Sequence, residues 1–438
     1  MPRRSLFLIL ATAILSYVCY QRAERSAYGR YFAEVLNHVN RSYVEAVDDE
    51  KLFEGAVEGM LSKLDDYSAF IPHTQTQRFQ EQLDQEFGGI GLELGTDSKT
   101  KRLIVISPLA GTPAYKAGIL AGDQIVSVDG ESAEGWGLQD CVERLRGKPQ
   151  TKVVLGVQRD GEKEPRSFPL VRDVIQVDSV WGNVRHADGS WNYVLDPKAG
   201  IGYLRITSFG DATVKQLSTV LEGLVAKKMR GVIIDLRNNP GGLLPAGTGT
   251  CDLFLKDKGE KIVEICGRDG NVRERFSSTG TGKFSELQLV ILVNRYSASA
   301  SEIVAACLQD HKRAVIVGER SFGKGTVQNV IYVEGGKSVL KLTTASYWRP
   351  SGKNIHRFKE SKPTDEWGVT PDEGLLVKLD DEDFAHWLEY RRSRDTKRTP
   401  GDDEDPELAE DDPQLAKALE YLRSKLAAPT SASSSAKP

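Results

Sequence analysis

Three short apolar runs stand out in the second half of the chain: Val232 to Leu236 (VIIDL), Leu287 to Val293 (LQLVILV) and Ala314 to Val317. Their length and β-branched content predict buried strands. Between the last two, Ile303, Val304, Cys307 and Leu308 recur at helical spacing within Glu302 to His311, so strand, helix and strand form a parallel crossover unit. A helix of about 12 residues carries the chain roughly 18 Å away, and a strand of five or six residues returns it by about the same distance. Whatever precedes the helix and follows the second strand therefore meets at the carboxyl edge of the sheet, where sites in α/β folds usually lie.

An earlier region alternates faster. Gly91 to Leu94, Leu103 to Ile106, Gln124 to Val128 and Val153 to Arg159 read as short strands, with a helix over Leu138 to Arg146 between the last two. The two ends differ from both regions. Pro2-Arg-Arg precedes an apolar run, Leu6 to Tyr20, that ends at Gln21-Arg22; this is a secretory hydrophobic segment or a short membrane anchor, and it places the remainder outside the cytoplasm. No A-x-A cleavage site is clear, and Ser16-Tyr-Val-Cys19 is a poor lipobox because Val18 is not small, so an uncleaved anchor is favoured over a cleaved signal. Near the other end, Gly401-Asp-Asp-Glu-Asp-Pro is an acidic linker, Glu407 to Leu426 a charged helix read as solvated in preference to an oligomer contact, and Ala427 to Pro438 a disordered tail.

A chain of 438 residues exceeds one core and implies two to three globular units. With 58 basic and 62 acidic residues, the net charge of −4 offers no electrostatic footprint for nucleic acid. The six histidines lack HxxxH or HExxH spacing and no CxxC pair exists, so neither a metal nor another cofactor is indicated. Of the five cysteines, Cys307 reads as a buried helix residue.

The chemistry converges on Asn294-Arg-Tyr-Ser-Ala-Ser-Ala-Ser-Glu302 and Ser321-Phe-Gly-Lys-Gly-Thr-Val-Gln328, which the crossover unit brings to one edge. A serine hydroxyl is a weak nucleophile until a base removes its proton, and a lysine can do so if desolvation lowers its pKa. Taken alone, Ser299 fits an S-x-x-E helix cap and Lys324 a solvated loop charge. The third element changes that balance: VIIDL runs into Arg237-Asn-Asn-Pro-Gly-Gly242, a turn whose backbone N–H groups can bind an oxyanion. A Ser-His-Asp triad with His356 is disfavoured because no G-x-S-x-G elbow is present.

On these residues the chain resembles the C-terminal-processing, or tail-specific, serine endopeptidases. Asp235 to Gly242 (DLRNNPGG), Ser297 to Ile303 (SASASEI) and Phe322 to Gln328 (FGKGTVQ) look like the family's three core motifs, and similarity runs from about Tyr31 to about Leu376. The resemblance implies Ser299 as nucleophile, Lys324 as general base, Gln328 as the residue orienting the lysine, and an oxyanion hole from the Ala300 N–H with that of Gly241 or Gly242. Asp310 matches a position sometimes proposed as a third member, but eleven residues of helix put it about 16 Å from Ser299, so it reads as structural; the same distance excludes His311 as the base.

Pro113-Ala-Tyr-Lys-Ala-Gly118 and Ile119-Leu-Ala-Gly-Asp-Gln-Ile-Val-Ser-Val-Asp-Gly130 resemble a PDZ domain, with Gly88, Gly89, Ile90, Gly91 and Leu92 as its carboxylate-binding loop. Such a domain adds a peptide strand to its sheet edge and holds the terminal carboxylate. The implied fold is a multidomain α/β protein: an anchor or signal over 1–26, an N-terminal helical region over 27–86, a PDZ domain inserted at 87–173, a crotonase/ClpP-like Ser/Lys protease core over 174–380, and a charged helix with tail over 381–438. Its partners are proteins or peptides with free C-terminal tails in the cell envelope on the periplasmic side, with an envelope adaptor and a homo-oligomer left open. Two other classes stay in view: a catalytically silent PDZ scaffold, and a crotonase-like enzyme that processes acyl thioesters.

Overall fold

The computed structural model describes residues 27–84, 86–97, 100–109, 111–176, 178–186, 189–395 and 412–427. They fall into two compact units, 27–72 with 330–342, and the remainder. In the first unit, helices Ala27–Ser42 and Asp49–Leu61 precede a strand, Ala69–Ile71, paired antiparallel with Val339–Lys341. Asp48 starts the second helix because its carboxylate accepts the Glu50 and Lys51 N–H groups. Phe53 on that helix meets Phe70 on the strand edge-to-face at 5.8 Å.

In the second unit, strands Leu92–Thr96, Leu103–Pro108, Gln124–Val128, Lys152–Gln158 and Arg166–Val171 form an antiparallel sheet with helix Leu138–Leu145. Alternation along Lys152–Gln158 buries Val153, Leu155 and Val157, which pack with Val105, Ala114, Ile119 and Cys141 into a separate core. Glu86–Gly89 pairs antiparallel with Asp173–Gln176, so the chain enters and leaves this sheet side by side, as expected of an insertion.

The larger core is a sheet in which Ile201–Ile206, Gly231–Asp235, Gln288–Val293 and Ala314–Gly318 are all parallel, in that order. Each of these strands is buried on both faces, which is why each reads as a continuous apolar run. Odd and even residues serve different layers: Val232 and Ile234 face the core containing helices Thr213–Ala226, Leu244–Asp252 and Ala300–Asp310, whereas Ile233, Val290 and Leu292 face the opposite side. The expected crossover is present, with strand and helix ends shifted by only one or two residues.

The C-terminal region corrects the sequence reading. The helix read as solvated begins at Pro413 and lies on the sheet, burying Leu415, Ala418, Leu419 and Leu422. Their spacing gives one apolar stripe on an otherwise polar helix, so mean composition hid the packed face. A further helix, Asp381–Asp395, was not foreseen; it buries Trp387, Arg391 and Arg394, and buried arginines leave no hydrophobic period to read. The linker at 401–406, the tail beyond 427 and the apolar run Leu6 to Tyr20 lie outside the described residues. No described helix is long and apolar enough to cross a membrane.

Candidate active site

Three loops leave the carboxyl edge of the parallel sheet: Leu236–Leu243, Asn294–Ser299 and Glu319–Gly325. Two asparagines and two serines lash the first two together. Asn294 Oδ1 accepts the Asn238 N–H at 3.0 Å, and Asn239 uses its carbonyl to accept the Ala298 N–H and the Ser301 hydroxyl, both at 3.0 Å. Ser297 Oγ donates to the Leu236 carbonyl at 2.8 Å. Ser297 and Ser301 are thus structural braces in the alternating SASAS segment. Ser299 differs from both: it has φ 56° and ψ −115°, a conformation that costs a non-glycine residue about 1–3 kcal/mol, and it stands at the entry to helix Ala300–Asp310.

The Pro-Gly-Gly turn closes on this serine. A Cβ on Gly241 would lie 2.7 Å from the Ser299 Cβ, so no larger residue fits. Asn239 Oδ1 takes the Gly241 N–H at 2.8 Å, which removes Gly241 as a free donor. The Gly242 and Ala300 N–H groups have no acceptor among the described residues.

Glu302 joins the serine loop to the lysine loop. Read in the sequence only as a capping residue, it is fully buried, and its Oε2 accepts the Ser299 N–H at 2.9 Å and the Lys324 N–H at 2.8 Å. One oxygen shared this way holds the two backbone nitrogens within about 6 Å of each other. Oε1 accepts the Gly323 N–H at 2.6 Å and the Ser321 hydroxyl at 2.5 Å; Ser321 in turn accepts the Val369 N–H, which leaves its own proton for Glu302. Burial pushes this carboxyl up to about 7, against the pull of those four donors.

That clamp has a testable signature. Glu302→Gln turns two N–H groups toward an amide N–H₂, and the resulting loop shift should lower kcat about 10- to 100-fold. Stability should move oppositely with pH. A folded pKa near 7 against the ordinary 4.5 means that the carboxyl's contribution is fully present below pH 4.5 and lost as pH rises through 7. The unfolding free-energy advantage of wild type over Glu302→Gln should therefore shrink by about 3 kcal/mol between pH 5 and pH 8 in urea titrations, and an advantage that grows would refute it.

The remaining site residues fall as follows. Gln328 donates its Nε2 to Thr326 Oγ1 at 2.8 Å and Thr343 Oγ1 at 3.2 Å, which fixes the amide with its oxygen left as acceptor. Asp310 sits at the far end of the helix, where Arg349 holds it at 2.7 and 2.9 Å and the Ser351 N–H at 2.9 Å; burial raises its pKa, but these bonds leave it below the usual carboxylate value. These bonds tie it to the 349–351 segment. His311 likewise bonds the Lys261 carbonyl at 2.7 Å.

In the inserted domain, Gly88 and Gly89 are not loop residues. They lie in the paired strand, where a Cβ on Gly88 would meet the Gly147 carbonyl at 2.1 Å, so the glycine serves a close backbone crossing. The turn is Ile90-Gly91, and Leu92 opens the next strand. A groove of about 160 Å³ is lined there by Ile90, Gly91, Leu92, Leu94, Val142 and Arg146. Arg146, unmarked in the sequence reading, pairs with Glu81 at 2.9 Å, and its buried Nε has no partner among the described residues.

A profile for peptidase family S41 matches residues 200–374, one for the PDZ domain residues 76–158, and one for the activating protease CtpB N-terminal domain residues 21–74. The chain is 35% identical to the carboxy-terminal-processing protease of Bartonella bacilliformis over 410 residues, 90% of this chain and 88% of that one. It is also 35% identical to the carboxy-terminal processing protease CtpB of Bacillus subtilis over 358 residues, 80% of this chain and 71% of the other. An S41 protease structure from Bacteroides fragilis superposes with a TM-score of 0.50 at 15% identity, covering 89% of this chain and 97% of that one, a likeness of fold. The chain belongs to the carboxy-terminal-processing proteases of family S41. It is a serine-type peptidase that carries a PDZ domain.

Proposed function

We propose that Ser299 and Lys324 form the catalytic dyad of an endopeptidase that cuts envelope proteins chosen by their C-terminal tails. The single observation that carries the dyad is the Glu302 carboxylate oxygen shared by the Ser299 and Lys324 backbones. Lys324 Nζ, oriented by Gln328 Oε1, takes the Ser299 proton as Oγ attacks the scissile carbonyl. The oxyanion receives the Ala300 and Gly242 N–H groups, since Gly241 has already given its own. Lysine then protonates the leaving amine, and in the second half it deprotonates the water that releases the acyl group. A fluorophosphonate should add once, on Ser299; adduct on Ser297 or Ser301 would overturn this reading.

The PDZ groove supplies selection. Apolar Ile90, Leu92, Leu94 and Val142 suit an apolar terminal side chain, and the Arg146 guanidinium suits its carboxylate. Coupling to the core is supported by Glu93, next on the same edge strand, which lines a small cavity with Asp178, Trp181, Arg185 and Trp191. A tail added beside it acts where insert and core adjoin. Cleavage of one unfolded substrate should fall about 10-fold or more when its C-terminus is amidated or extended by two charged residues. Equal rates for all three tails would leave a general endopeptidase. The envelope location rests on the apolar run Leu6 to Tyr20; fractionation of cells with an antibody to the core tests it.

A further inference from the structure

We propose that the C-terminal segment, helix Asp381–Asp395 together with Asp412, is a positioning element that sets both halves of the oxyanion hole. The proposal rests on the assignment of Ala300 and Gly242 as the oxyanion donors.

The first half is held through Arg237. Its side chain is fully buried, and all five guanidinium hydrogens are used. Asp235 accepts from Nε and one terminal nitrogen, Asp412 accepts from both terminal nitrogens at 2.7 and 2.8 Å, and Gln414 Oε1 takes the last at 3.1 Å. The guanidinium lies 4.6 Å from the ring centre of Trp387, whose indole N–H donates to Asp412 Oδ2 at 3.0 Å. Two residues beyond Arg237 is Asn239, the residue that accepts the Gly241 N–H and ties the turn to Ala298. The conformation of Gly242 is therefore referred, through a short braced path, to a carboxylate 175 residues away in sequence.

The second half is held by the same helix. Arg295 donates to the Leu379 carbonyl at 2.8 Å and to Asp381 at 3.1 Å, with its guanidinium 4.7 Å from the Phe384 ring. Tyr296, three residues before Ser299, contacts Phe384 at 5.1 Å between centroids, and Phe384 stacks on Trp387 at 5.7 Å. Phe384 and Trp387 thus touch the loop that ends in Ala300 and the arginine that begins the loop to Gly242. An oxyanion hole works only while its two donors keep their mutual geometry, and a displacement of about 1 Å can cost about 100-fold in rate. One helix braced against both loops sets that geometry.

The full chain tests this with Asp412→Asn, which turns an amide N–H₂ against a guanidinium donor, and with Trp387→Phe, which keeps an aromatic ring but loses the indole N–H and part of the buried bulk. Both are assayed for kcat, KM, fluorophosphonate labelling rate and melting temperature, at a temperature where circular dichroism shows them folded. Asp412→Asn should lower kcat about 10- to 100-fold and slow labelling in parallel, with KM within about twofold. Should Asp412→Asn fail to fold, Trp387→Phe decides, with a fall of about 3- to 10-fold. Wild-type kcat and labelling in the folded variants, with only the melting temperature lowered, would reduce the segment to a stability role. That outcome beside an inactive Ser299→Ala sinks the clamp alone, whereas activity in Ser299→Ala sinks the dyad beneath it.

Discussion

Ser299→Ala will show no acyl-enzyme and will lose at least about 10⁴-fold in kcat on an unfolded substrate, because the rest of the site cannot replace the nucleophile. The fold should survive. Ser297 Oγ and Ser301 Oγ, not Ser299 Oγ, tie the serine loop to the Leu236–Asn239 segment, and the Ser299 contact to Glu302 runs through the backbone N–H that alanine retains. The strained φ of 56° stays with the backbone, so the variant should melt within a few degrees of wild type. Ser297→Ala and Ser301→Ala provide the contrast: each leaves a buried carbonyl acceptor short of a donor, so they should lower stability by about 1–3 kcal/mol while keeping the nucleophile. Proteolysis by a clean Ser299→Ala preparation would refute the assignment.

Lys324→Arg will lose about 10²- to 10⁴-fold in kcat, the usual contribution of a general base, because a guanidinium stays protonated. The wild-type rate should rise with pH as the lysine gives up its proton, and ionisation of Glu302 near 7 acts in the same direction, since the clamp takes four donors only as a carboxylate. In the Glu302→Gln background the carboxyl no longer titrates, so comparing the two pH profiles isolates its contribution. Because the Lys324 N–H bond to Glu302 belongs to the backbone, arginine leaves the loop anchored, so a lost rate reports chemistry and not a collapsed loop. Substantial activity in Lys324→Arg would point to His356 or another base.

Local patterns carried much of this. The strand runs were apolar because the parallel sheet buries both faces, and a crossover of known length returned Lys324 to the edge where Ser299 starts its helix. Glu302 was visible as a letter but not as a clamp, because its donors at Ser321, Gly323 and Lys324 lie some 20 residues away and are mostly backbone groups, which leave no mark on sequence. Arg146 was hidden for a similar reason: its place in the PDZ groove follows from where helix Leu138–Leu145 ends against Ile90-Gly91.

Residue type and spacing by themselves determined the parallel core, the strand pattern of the inserted domain, and the candidate nucleophile and base; the protease family came from the resemblance of whole motifs to known relatives. Each of these depends on periodicity or on a contiguous motif, which local physics makes legible. Tertiary structure alone decided which glycine keeps a free N–H, since that turned on Asn239 bonding the Gly241 amide. It alone made Asp412 the partner of Arg237, because a buried guanidinium draws its carboxylates from wherever the fold brings them and sequence separation does not enter.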